Sequence, residues 1–211
     1  MRIISDLRRA NLALKKEAVF PVTTPTAQQI ATRFIQLKRQ FPDTDIILCK
    51  RDISNASNLI PVNPHLTRCL FHVFKAQPSG TSSDIVGGFP SLPFGWVASP
   101  SYFGLVTEVI QEIHLACGPA EESWNLNAPY RSFLYVGDCM LSEPRIGSRP
   151  EDSVMACGNI CRAILTMKSI NEEKSRLEGK RSTEHTIPGF NFDTKGEPLA
   201  FLMRGYLERG I

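Results

Sequence analysis

The sequence lacks any apolar run long enough to cross a membrane: each hydrophobic stretch is broken by polar residues well short of about 20 positions. The N-terminal segment MRIISDLRRANLALKK has no apolar core of the kind a secretory signal needs. A protein free of membranes and not secreted is therefore expected, in the cytoplasm or the nucleus. The chain has no Cys-x-x-Cys pair, and no His/Cys spacing suited to zinc. Its six cysteines, Cys49, Cys69, Cys117, Cys139, Cys157 and Cys161, are mostly embedded in apolar sequence and read as reduced, buried small hydrophobes. The four histidines, His65, His72, His114 and His185, are scattered and suggest no shared site. Charge of one sign is also missing. A net +3 from 24 basic and 21 acidic residues neither demands nor excludes nucleic acid as a partner. No internal repeat is visible.

What is present is an alternation of short helical and extended segments. Thr24 and Pro25 suit the start of a helix, and Ile30, Phe34, Leu37 and Phe41 repeat at helical spacing after them. Pro42 ends that helix. Thr44–Ile53 is too short and too β-branched for a helix and reads as a buried strand with Asp52 at its end. Arg68–Lys75 alternates like a strand, and Val86–Phe89 reads as a shorter one. Ser99–Cys117 reads as a helix marked by Tyr102, Val106, Val109, Ile110 and Ile113. SFLYVGDCML, from Ser132 to Leu141, reads as two short strands about a tight turn holding Asp138. Ser148 begins a helix whose core face is Val154, Cys157, Cys161, Ile164 and Leu165. A charged helical stretch and a strand over 186–192 close the pattern. With no parallel βαβ period, an α+β fold is expected: helices against one face of a mainly antiparallel sheet.

Asp52 and Asp138 each stand where an apolar strand ends. Adjacent strand ends bring two such carboxylates to one sheet edge, and two carboxylates with substrate phosphates and water are what magnesium binds. Aspartates at strand ends and turns are also ordinary surface residues, and the pair alone leaves both readings open.

The surrounding segments resemble those of reverse transcriptases of long-terminal-repeat retrotransposons. KRDISNASNLIPV (50–62) is similar to their first aspartate motif, and LPFGWVASPSYF (92–103) to their second. FLYVGD (133–138) resembles the Tyr-x-Asp-Asp hairpin. SINEEKSRLEGK (169–180) looks like the lysine motif that follows, HTIPGFNFD (185–193) like the primer-grip strand, and RIISDLRRAN (2–11) like a fingers segment. The resemblance spans nearly the whole chain in the family's order. It implies one domain over 1–211, with fingers in 1–43 and roughly 63–90, palm in 44–62 and 91–195, and 196–211 starting a truncated extension. It implies RNA-directed DNA synthesis on an RNA template and DNA primer with deoxynucleotides, using Mg2+ or Mn2+.

Residue by residue, the resemblance makes Asp52, the Ile53 carbonyl and Asp138 metal ligands. Lys174 is the lysine proposed to protonate the leaving pyrophosphate. Arg2, Ile53, Ser57, Phe94 and Gly95 fall at the incoming nucleotide. Tyr135, Trp96, Pro188 and Gly189 fall at primer and template. The chain also departs from the pattern. Gly137 replaces an expected carboxylate ligand. Ser57 replaces an aromatic that blocks the sugar 2′-hydroxyl, and Pro188 replaces a leucine. Thumb, connection and RNase H segments are not expected within the chain. Lost or strongly reduced polymerase activity follows, with Glu143 placed beyond the second hairpin strand and so no substitute. Glycine is expected to suit the positive backbone angle of the hairpin turn. The alternative is a non-catalytic remnant that binds nucleic acid or protein through a basic groove of Arg8, Arg9, Lys15, Lys16, Lys50 and Arg51.

Overall fold

A computed structural model describes residues 7–15, 19–21, 24–74, 83–118, 129–187 and 190–195. The fold is α+β. By internal contacts the chain forms two compact units, Met1–Val22 with Asn55–Leu105, and Thr23–Ser54 with Val106–Ile211.

In the first unit, α1 (Arg8–Ala13) precedes a 3-10 turn over Ala56–Leu59, the short helix α3 (Pro64–Thr67) and the antiparallel pair β2 (Phe71–Phe74) and β3 (Ile85–Gly88). The strand expected over 68–75 is thus shorter, because Asn63 caps His65 and Pro64 opens a helical turn just before it. Leu7, Leu70, Leu92, Trp96 and Ala98 form this unit's core.

In the second unit, β1 (Ile46–Asp52), β4 (Ser132–Tyr135) and β5 (Asp138–Pro144) make an antiparallel sheet in the order β1-β5-β4. α2 (Ala27–Gln40) starts two residues later than the sequence suggests. Thr26, not Thr24, is its cap, and Thr26 and Gln29 bond each other's backbone N–H groups in a capping box. α4 (Ser99–Cys117) begins in the first unit and ends in the second. Helices α5 (Arg149–Ile164) and α6 (Glu172–Glu178) follow, then the hairpin β6 (Glu184–Ile187) and β7 (Phe190–Asp193). No described helix is long and apolar enough to cross a membrane.

The helices lie on both faces of the sheet, not on one. Side chains alternate along a strand, and central β5 is buried on both parities. Met140 meets Ile30 and Phe34 of α2, together with Leu48, Phe133 and Phe192. Its neighbour Cys139 meets Cys157 of α5, Sγ to Sγ 3.2 Å. A strand apolar on both faces needs cover on both. The ends of α4 match the expectation, and of the five apolar residues that mark it Ile110 alone is buried. Phe103, Thr107, Ile110 and His114 are buried, whereas Tyr102, Val109 and Ile113 are exposed.

Glu143 lies inside β5, opposite Ile47, and is buried. It anchors a polar core that composition did not reveal. Glu143 accepts bonds from Arg149 Nε (2.8 Å) and Ser153 Oγ (3.1 Å). His114 Nε2 is 3.0 Å from the Ser153 carbonyl, so Nε2 carries the hydrogen and donates. The other ring nitrogen, Nδ1, is buried with no acceptor. Burial lowers the His114 pKa to about 4, against the opposing bond to Ser153. The folded protein therefore binds this proton only below the range where the unfolded chain does, and stability falls as pH drops from about 6.5 to about 4. This contribution is expected to reach about 3 kcal/mol, taking about 1.4 kcal/mol per unit. Urea titrations across that range, wild type against His114→Gln, measure it. An unchanged acid limb in the variant would reject the assignment. Glu143 is itself pushed up by burial, against the pull of Arg149 and Arg33, and the comparison cancels its share.

Candidate active site

Asp52 and Asp138 are brought together by strand pairing. Register sets Asp52 opposite Asp138 at the ends of β1 and β5, and Asp138 opposite Tyr135 of β4. Asp138 is thus the first residue of β5, and Val136 and Gly137 form the turn between the strands.

A third element comes from α6. The Asn171 N–H donates to the Asp52 carbonyl (2.9 Å) and the Ser54 N–H to the Ser169 carbonyl (2.7 Å), which staples the segment before α6 to the end of β1. The Asn171 side chain then caps α6 by accepting from the Lys174 N–H at 3.0 Å. This sets Lys174 over the aspartates. Its Nζ donates to Asp52 Oδ1 at 2.5 Å and lies 4.0 Å from Asp138 Oδ1. The bond to Asp52 raises the Lys174 pKa, and partial desolvation opposes the rise. Lys50 Nζ lies 3.1 Å from Asp138 Oδ1 and 3.7 Å from Glu178. Asp138 Oδ1 is buried and has no aligned hydrogen bond, and the two ammonium groups are its ion-pair partners.

Asp52 and Asp138 are the carboxylates that could hold a divalent cation here. Asp52 Oδ1 and Asp138 Oδ1 already share one cationic group, and Asp138 Oδ1 has acceptor capacity to spare. A metal there would compete with Lys174 for Asp52. Among the described residues no group of three or more His, Cys, Asp or Glu side chains gathers to hold a metal, and Gly137 supplies no ligand. Ile53 is buried, its N–H donating to the Gly137 carbonyl at 2.6 Å.

Tyr135 is exposed on the hairpin of the same unit. In the first unit, Gly95 has φ +89° in the turn before α4, a backbone angle that favours glycine. Asn11 of α1 clamps that turn, donating to the Gly95 carbonyl and accepting from the Val97 N–H. Phe94 beside it is exposed. Trp96 is buried and stacks on Tyr102 at 5.9 Å, and Ser57 is buried on the 3-10 turn. Arg2, Lys16, Pro188 and Gly189 lie outside the described residues.

Two expectations are corrected here. The positive backbone angle of the hairpin falls on Val136 (φ +54°), and Gly137 does not share it. Glycine at 137 is therefore not required by the turn. The strained residue is a β-branched valine at the first central position, where glycine would be favoured. Val136→Gly is expected to raise stability by about 1 kcal/mol, the left-handed cost removed less the entropy glycine adds. A denaturation midpoint that falls would contradict this. Secondly, Lys50 and Arg51 do not present free charge to a groove: Lys50 pairs with Asp138 and Glu178, and Arg51 with Glu172. Lys50 was readable as a site residue. It stands two positions before Asp52 on a strand, hence on the same face.

No family model matches the chain, and no curated protein matches it.

Proposed function

We propose that the chain is a reverse-transcriptase-like fingers–palm domain of long-terminal-repeat retroelement origin, with RNA-directed DNA polymerase activity lost or strongly reduced. The supporting observation is the β1–β5 register, which sets Asp52 opposite Asp138 beside the β4–β5 hairpin. Lys174, which the resemblance places in the lysine motif, bonds Asp52. A bound magnesium or manganese ion would activate a primer hydroxyl and steady the leaving oxygen. Asp52 and Asp138 would hold it, and Lys174 would release Asp52 to do so. With Gly137 in place of a carboxylate, two such ions lack a ligand. The loss is on the order of a thousandfold or more in rate.

Primer extension on a primed RNA template with deoxynucleotides and magnesium or manganese tests this. The natural protein is expected to show little or no extension, and Gly137→Asp to raise it. Extension by the natural protein at ordinary polymerase rates, abolished in Asp52→Ala, would overturn the loss of activity. Activity that survives Asp52→Ala would overturn the assignment of the site.

A further inference from the structure

Three thiols lie together between the sheet and α5 of the second unit. Cys139 is the second residue of β5, and its Sγ is 3.2 Å from Cys157 Sγ of α5. Cys161, one helical turn after Cys157, shares a hydrogen bond with it. All three are free and buried. A single cysteine in such a place is a small hydrophobe. Two sulfurs this close are also the two halves of a disulfide. An S–S bond of about 2.05 Å needs the pair to close by roughly 1.2 Å, within reach of small side-chain rotations.

We propose that Cys139 and Cys157 are an oxidation-sensitive pair, closed to a disulfide by a hydroperoxide and reopened by a dithiol, which ties β5 to α5. Burial selects the oxidant: hydrogen peroxide is small and uncharged, whereas bulky disulfides do not reach these sulfurs in the folded chain. The bond that Cys157 shares with Cys139 raises the Cys157 pKa, against the bond from Cys161 and with help from burial. Cys157 therefore keeps its proton and directs it at Cys139, whose sulfur reacts first. The Cys139 thiolate attacks the peroxide O–O bond. An S–O bond forms and hydroxide leaves, giving a sulfenic acid. The Cys157 sulfur then attacks the sulfenic sulfur, so that the S–S bond forms, the S–O bond breaks and a second hydroxide leaves. The two thiol protons turn both hydroxides into water. Two thiols thus lose two electrons and two protons, and one peroxide becomes two waters.

The test treats the folded full chain, at low protein concentration, with hydrogen peroxide. Unfolding, alkylation of the remaining thiols and peptide mass mapping follow. Exposed Cys69 and Cys117 report that the oxidant was delivered. The expected product is a peptide pair joined through Cys139 and Cys157, two hydrogens lighter, reopened by dithiothreitol, with Cys161 still alkylated. The link closes a loop of 18 residues, so the thermal midpoint is expected to rise by about 5–10 °C on oxidation. Cys157→Ala keeps a small apolar side chain and is expected to lose both the link and the rise. If that variant does not fold, mapping of the natural chain decides alone. Oxidation of Cys69 and Cys117 that leaves Cys139 and Cys157 both alkylated overturns the proposal. So does a link from Cys139 to Cys161, a link that forms only in urea, or a link that leaves the midpoint unchanged. Neither metal nor polymerase activity enters these readouts, so their failure leaves the polymerase reading standing.

Discussion

Replacing Arg149 with leucine is expected to lower the unfolding free energy by about 3–5 kcal/mol, enough to unfold a marginally stable domain. Arg149 opens α5 next to Pro150, and its guanidinium is fully buried between Glu143 and the ring of Tyr130, 5.3 Å from the ring centre. Its Nε–H donates to Glu143 Oε2 at 2.8 Å. Glu143 is itself buried on the central strand. Without the arginine its charge keeps only the Ser153 hydroxyl and the more distant Arg33. The cost is that of a stranded buried charge, not of a lost pair. Replacing both partners, Arg149→Leu with Glu143→Leu, is therefore expected to recover much of the loss. Equilibrium urea unfolding of the two single variants and the double variant measures this. A double variant that loses the sum of the two single losses would show the groups to be uncoupled.

Gly179→Ala is expected to be the second costly change. Gly179 ends α6, and its N–H bonds the Ser175 carbonyl. A Cβ added there would press on two backbone oxygens, those of Lys50 and Ser175. Neither is a side-chain tip that can swing away, so β1 and the end of α6 must separate. Its φ of −91° is open to any residue, so the demand for glycine comes from close approach alone. The expected loss is about 1–3 kcal/mol, the range for forced overpacking. Because α6 carries Lys174, the same change should loosen its hold on Asp52. A thermal midpoint equal to wild type would show that α6 shifts freely.

Much of the local structure was legible in the residues. The apolar spacing of Ile30, Phe34 and Leu37 marked α2, the β-branched run before Asp52 marked β1, and the two short apolar runs about Val136 and Gly137 marked the hairpin. These signals are local: a repeat of 3.6 or 2, or a proline at an end. The cap of α2 was misread by two residues, because two threonines and a proline offered competing starts and only the bond with Gln29 chose between them. Glu143 was misread because a carboxylate in an apolar strand looks like the strand's end until a buried arginine is found for it.

The sequence by itself determined α2, β1 and the β4–β5 hairpin, and that two aspartates stand at strand ends. Tertiary structure alone decided that these aspartates face each other, that Lys50 and Lys174 are the cations they meet, and that both faces of β5 are covered. It also decided that the strained turn residue is Val136. Periodicity acts between neighbours a few residues apart. Register, buried charge pairing and close backbone approach depend on groups separated by tens of residues, and their energies exist only once the chain has closed on itself.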